Sequence, residues 1–255
     1  MSAIEVIRAR ALDGVAHGFL GRRGGVSTGA MASLDMGRRG QAPTPELIEN
    51  QRRAIEAVMP GGTLVTLYQV HSAAAVIVTA PWHDDARPRA DALVTDRPGL
   101  LLGILTADCV PVLLADTTAG VIGAAHAGWK GALGGVTDAT IEAMVSLGAD
   151  RDRIVAAIGP CIARASYEVD NGFAARFAED DPANERFFSP GKPGHQQFDL
   201  EAYVAHRIAY AGVATVEMLG LDTYADPARF FSYRRATHLG EPDYGRQISL
   251  IGLTG

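Results

Sequence analysis

His71 in LYQVHS, Cys109 in LTADCVP and His126 in AAHAGWKG each stand where an apolar run gives way to small or polar residues. Two imidazoles and a thiolate form a set that zinc accepts, and three protein ligands leave a fourth position for water or substrate. A centre of that kind makes the chain an enzyme. The three positions are too widely separated for a zinc finger, so the fold would have to bring three strand ends together. Seven His and two Cys among 255 residues also permit three unrelated packed side chains, and the neighbourhoods weigh against that. Asp108 and Pro111 interrupt the apolar stretch LLGILTADCVPVLLAD, which costs burial energy unless the polar groups find partners. Gly128 and Gly131 flank Trp129 and Lys130 just after His126, leaving open backbone that would admit a ligand.

Further groups bear on an anion and a proton. Asp108 is the carboxyl nearest in sequence to a ligand, suited to proton transfer or to orienting an imidazole. Lys130 is one of two lysines, and reads either as an anion contact or as a solvated surface cation. GRRGGVSTG, with Arg22, Arg23 and Ser27, has the composition of a backbone nest for phosphate, but fits neither the P-loop nor the dinucleotide pattern, and an ordinary turn explains it as well. SYRR and YGRQ, the first containing Arg234, offer more arginine contacts.

These residues must be positioned by mostly β structure. Apolar runs bounded by turn residues predict strands at 63–70, 74–79, 92–95, 100–105, 110–115, 121–125 and 154–158. Several are apolar on both faces, which places them inside a layered structure. A helix is predicted after Thr44, with Pro45 at its first position and a stripe of Leu47, Ile48, Ile55, Val58 and Met59. A second is expected over about 133–147, closed by Gly148, and a third from the cap Asp199 to Gly212. Closely spaced strands suggest hairpins, and SPGKPGHQQ at 189–197 suggests an exposed loop. The expected fold is α+β: one layered α/β sandwich over 1–255, its central mixed sheets flanked by helices.

The bulk properties narrow the partners. A net charge of −6 with scattered basic residues gives no field for nucleic acid. The longest strongly apolar stretch, 99–107, is far short of the roughly 20 residues of a membrane helix, and charges at Glu5, Arg8 and Arg10 do not suit a secretory leader. A cytoplasmic protein with Cys109 and Cys161 as thiols, monomeric or weakly dimeric, is the expectation.

Taken in order, HGFLGRRGGVSTGAMASLDMG, QVHS, ADALVTDRPGLLLGILTADCVPVLLAD, AAHAGWKG, IGPCI with YEV, and FFSYRR with YGRQ closely resemble the laccase-domain family, also called the multicopper polyphenol oxidase or purine nucleoside phosphorylase family. The resemblance runs from His17 to Leu250. It implies a zinc enzyme that takes purine nucleosides and phosphate. The implied reactions are phosphorolysis of adenosine, inosine, guanosine or methylthioadenosine to free base and (deoxy)ribose 1-phosphate, together with adenosine deamination. The family's metal ligands fall on His71, Cys109 and His126. Asp35 stands where the family often has Asn, and Lys130 where it often has Arg.

For deamination the metal would activate a water, although the H-x-E and P-C-x-x-C signature of the zinc nucleobase deaminases is absent. For phosphorolysis Arg22, Ser27, Lys130 and Arg234 are the sequence's candidates to hold phosphate. Rival readings are a Cys/His hydrolase with Cys109 as nucleophile, a copper polyphenol oxidase, and a factor in cell-wall precursor editing. Copper suits the chain less well than zinc, because none of the seven histidines forms an H-x-H pair.

Overall fold

Strands apolar on both faces need cover on both, and in this protein two large sheets packed face to face supply half of that cover. The computed structural model describes residues 3–39 and 42–254; positions 1–2, 40–41 and 255, included in the expected domain, lie outside the described residues. The strands are β1 (Val6–Ile7), β2 (Ala16–Leu20), β3 (Thr63–Val65), β4 (Ala75–Ile77), β5 (Ala92–Thr95), β6 (Leu100–Thr106) and β7 (Val110–Asp116). They continue with β8 (Val121–Ala127), β9 (Val155–Ile158), β10 (Glu168–Asp170), β11 (Phe188–Pro190), β12 (His195–Phe198), β13 (Thr215–Met218) and β14 (Gln247–Gly252). The α-helices are α1 (Pro45–Val58), α2 (Trp129–Leu133), α3 (Val136–Ser146), α4 (Asn171–Asp180), α5 (Leu200–Tyr210) and α6 (Tyr233–Leu239).

One sheet runs β1-β2-β14-β6-β3 and the other β13-β9-β7-β8-β5-β4. Both are mixed: β3 pairs parallel with β6, β4 with β5 and β13 with β9, while the remaining neighbours are antiparallel. Phe19, Leu102 and Ile104 from the first sheet meet Leu113, Ile122 and Ala157 from the second, all fully buried. Helix α1 covers the outer face of the first sheet through Leu47, Ala54 and Val58 against Leu101 and Leu250. Helices α3 and α5 cover the outer face of the second, where Ile141, Met144, Val204 and Ile208 meet Val112 and Leu114. A small sheet, β10-β12-β11, extends this last layer with an aromatic cluster around Phe177, Phe198 and Tyr203. The layered sandwich of mixed sheets and flanking helices is therefore the fold. Among the described residues no helix is long and apolar enough to cross a membrane.

Several local expectations hold in detail. Thr44 Oγ1 caps α1 by accepting from Leu47 N, and Asp199 caps α5 by accepting from Ala202 N. Others are corrected. Ile48, assigned to the apolar stripe of α1, is 54% exposed, whereas Asn50 is fully buried. It bonds to Val26 N, Ser27 Oγ and the carbonyls of Ser33 and Asp35, so a polar side chain anchors the N-terminal loop. The helix expected over about 133–147 starts later, at Val136: Leu133 ends the separate short helix α2, and Gly135, at φ 91°, breaks the chain before α3. The expected loop at 189–197 contains a turn within a hairpin, β11 pairing antiparallel with β12. Finally, β6 and β7 do not form a hairpin. Their connection, 107–109, passes from one sheet to the other, and Asp108 turns it at φ 82°.

Candidate metal centre between two cavities

Three chain segments end at one place. The β3–β4 connection carries His71, the link between the two sheets carries Cys109, and His126 is the next-to-last residue of β8. Their donor atoms lie within 4.8 Å of one another, and Cys109 Sγ is 4.0 Å from His71 Nε2. The imidazole rings meet nearly edge to face, with centroids 4.8 Å apart. Tetrahedral zinc with bonds of about 2.0–2.3 Å holds its donors roughly 3.3–3.6 Å apart, so modest side-chain rotation closes this set on an ion. The residues fit the metal in number, type and spacing.

One carboxylate organises two of the ligands. Asp91, fully buried at the start of β5, accepts from the amides of Val70, His71 and Ser72 and from the Ser72 hydroxyl. This folds the chain into the turn that holds His71 at φ 60°, a conformation rare outside glycine. The same carboxylate stands 2.8 Å from His126 Nδ1. With the Nδ1 proton committed there, Nε2 is the nitrogen left to bind a metal. The glycines after His126 do something other than leave open space. A Cβ on Gly128 would stand 2.9 Å from His71 Cδ2 and 3.0 Å from Cys109 Sγ, and one on Gly131 would stand 2.8 Å from Ser72 O. Their lack of side chains lets α2 pack directly against the ligands.

Electrostatics match the ligand role. Burial alone would push the Cys109 thiol up, but the adjacent His126 and His71 outweigh it and bring the group to about 6. Burial opposes charge on His126, yet the Cys109 sulfur and Asp91 raise its affinity for a proton. Asp91, despite its own burial, is held at about 2 by His126 and Ser72. Binding at such a set takes the thiolate directly and exchanges the imidazole proton for the metal.

Two cavities meet at this centre, and His71, Cys109 and Ala107 line both. The first, about 510 Å³, has the aromatic walls Trp129, Phe173, Tyr167 and Tyr233, with Arg234 at its edge. The second, about 660 Å³, adds His126 and three arginines, Arg38, Arg87 and Arg246.

The structure sorts the other residues singled out by sequence. Arg234 is at the site, its Nη1 donating to Glu168 O and its guanidinium lying over the Tyr167 ring. Asp108 lines the first cavity but contacts no imidazole. It accepts from Thr223 Oγ1 at 2.6 Å, Ser232 Oγ at 2.9 Å and Arg234 N at 2.6 Å, tying the start of α6 to the inter-sheet link. Burial pushes its carboxyl up, against the pull of these donors. The imidazole is oriented by Asp91, which sequence reasoning passed over; its signal was an acid directly preceding the apolar run Ala92–Val94.

Arg22, Ser27 and Lys130 line neither cavity. Arg22 donates to the carbonyls of Ala30, Ala32 and Pro227 and lies over Phe231. Ser27 Oγ accepts from Asn50, and the amides of Arg22, Gly25, Val26 and Ser27 are all bonded within the protein, as in an ordinary turn. Lys130 is exposed, its ammonium 5.5 Å from the Trp129 ring centroid.

Comparison with known proteins follows the same lines. A family described as multi-copper polyphenol oxidoreductase laccase matches residues 16–254. A purine nucleoside phosphorylase of Deinococcus radiodurans is 42% identical over 243 residues, covering 94% of this chain and 89% of that protein. Another so named, from Streptomyces coelicolor, is 39% identical, covering 88% of this chain and 91% of its own. Among solved structures, a Neisseria meningitidis protein superposes with a TM-score of 0.86 at 30% identity over all of both chains. The hypothetical protein YfiH of Bacillus licheniformis gives 0.87 at 28% identity, over all of this chain and 97% of that one.

Proposed function

The chain belongs to the multi-copper polyphenol oxidoreductase laccase family, and we propose that it works there as a zinc-dependent purine nucleoside phosphorylase. The observation that carries this reading is that His71 and Cys109, two members of the His71–Cys109–His126 set, open onto an aromatic cavity of about 510 Å³, a size and lining suited to a small planar ligand. The names of the relatives from Deinococcus radiodurans and Streptomyces coelicolor point the same way.

In this reading His71, Cys109 and His126 hold zinc, whose chemistry when bound is to polarise an oxygen of substrate or water. Asp91 fixes the direction of His126 and the turn under His71. Trp129, Phe173 and Tyr167, with ring centroids 4.9 Å and 6.1 Å apart in successive pairs, provide faces for a purine. Asp108 is a positioning residue: it holds α6 and with it Arg234 at the cavity edge. Burial keeps the Tyr167 phenol protonated and able to donate to the base. In the reaction the glycosidic bond from C1′ to N9 breaks, a phosphate oxygen bonds to C1′, and the purine leaves with the bond's electron pair and takes up a proton.

Adenosine deamination is a second activity of the same centre, favoured by a three-residue donor set beside a cavity; water replaces the amino group and ammonia leaves. Zinc-loaded protein is expected to release hypoxanthine from inosine only when phosphate is present, with ribose 1-phosphate formed in equal amount. Release of base without phosphate, with free ribose as product, would contradict the reading. A cysteine hydrolase would use the same thiolate, and iodoacetamide alkylation of Cys109 separates the two, since zinc ligation protects the sulfur and a free nucleophile stays reactive.

A further inference from the structure

We infer that the arginine-lined cavity is an oxyanion subsite and receives the phosphate, so that the substrates approach the metal centre from opposite sides. The inference rests on, and deepens, the phosphorylase reading. Charge distinguishes the two cavities. The aromatic cavity sets Arg234 against the carboxylates of Asp108, Asp170 and Glu168, the last paired with Lys192 at 2.5 Å. The other sets Arg38, Arg87 and Arg246 against two, Asp84 and Asp85. A phosphate dianion is repelled from the first and attracted to the second, and a purine, with its N–H donors, has the reverse preference.

The guanidiniums are held in place. The side chains of Arg38 and Arg87 are each only 14% exposed, and both lie beside Asp84: its carboxylate is 2.8 Å from Arg38 Nη1 and 3.8 Å from Arg87 Nε, and its backbone carbonyl accepts from Arg87 Nε at 2.9 Å. Burial together with the nearby Arg38 lowers the affinity of Arg87 for its proton, against the pull of Asp84. Arg246 is fixed from both ends. Its backbone amide donates to Asp35, whose charge is answered by Arg39, and its guanidinium lies over the Tyr244 ring while donating to the Tyr244 hydroxyl. Forked donors fixed in this way suit a tetrahedral oxyanion. In this arrangement the Asp84 carboxylate occupies the anion's place on Arg38, close to Arg87, and competes with phosphate.

Calorimetric titration of inorganic phosphate into zinc-loaded protein tests this without reference to turnover. Arg87→Gln and Arg246→Gln should each weaken phosphate binding by about 10-fold or more, as loss of a charge-assisted contact implies. Arg234→Gln should leave it within about 2-fold, since that group makes no such contact. Asp84→Asn should tighten it, which keeps the test open if an arginine variant fails to fold. Absence of phosphate binding to the unmodified protein, loss confined to Arg234→Gln, or weaker binding in Asp84→Asn would overturn the inference. Phosphate binding that depends on Arg87 and Arg246 in a protein that cleaves no nucleoside would uphold the subsite and refute the phosphorylase reading.

Discussion

Asp91 accepts three backbone amides, a hydroxyl and the His126 ring on one carboxylate, and every one of these bonds bears on the placement of a metal ligand. Replacing it by Asn keeps the size but turns one acceptor into a donor facing other donors. Asp91→Asn is therefore expected to lower zinc affinity by roughly 10–100-fold, the usual consequence of losing a partner that orients a ligating His. Competition with a chromogenic chelator measures this, and unchanged affinity in a folded variant would show that Asp91 is not what orients the ligands. Asp108 differs in kind. Its three donors lie at the N-terminus of α6 and on Thr223, so its place is in the scaffold that carries Arg234 and Tyr233 to the cavity.

At the level of elements, each end of β7 is held by an aspartate. Asp108 turns the chain into the strand, and Asp116 at its far end is fully buried, accepting from the amides of Thr118, Ala119 and Asp150 and pairing with Arg153 at 3.0 Å. Asp116→Asn can satisfy only one oxygen's donors, and should cost about 1–2 kcal/mol in urea unfolding at neutral pH. Burial opposes the Asp116 charge, but the Asp150 and Ala119 amides and Arg153 hold its carboxyl below the ordinary range. Since the folded value is the lower, this stability is complete above the unfolded pKa of about 4 and fades as pH falls through the folded value. The gap between the two proteins should narrow on acidification; a gap that widened would refute the assignment. The strands around the centre were legible in sequence because β5 through β8 are apolar on both faces and bounded by turns. The crossing between sheets was not, since a short polar link reads like a hairpin until the partner strands are known. The pairing of β2 with β14, Ser249 opposite Phe19, joins distant parts of the chain and leaves no local pattern. The His71–Cys109–His126 cluster was legible by residue type and by the family motifs, whereas Arg38 and Arg87 were hidden among other arginines and became distinctive only through a shared cavity.

Across the whole molecule, the candidate metal centre lies where the chain crosses between the two sheets, so sheet packing and the geometry of the His71–Cys109–His126 cluster are coupled. Phe19, fully buried between the sheets, lies against the backbone of Gly159, where a Cβ would stand 2.0 Å from its ring. Gly159→Ala forces the sheets apart or the ring out of place, and should cost roughly 1–3 kcal/mol, as overpacking does. Chemical denaturation measures it, and an unchanged midpoint would mean that the interface is loosely packed. The central claim is that His71, Cys109 and His126 form one zinc centre on which nucleoside cleavage depends. Its most direct test is metal content and phosphate-dependent inosine cleavage, measured together on the unmodified protein and on Cys109→Ala. The unmodified protein should carry about one zinc per chain, as a single three-ligand site predicts, and the variant should lose both zinc and turnover. A folded Cys109→Ala protein that keeps its zinc and its cleavage rate would contradict the account.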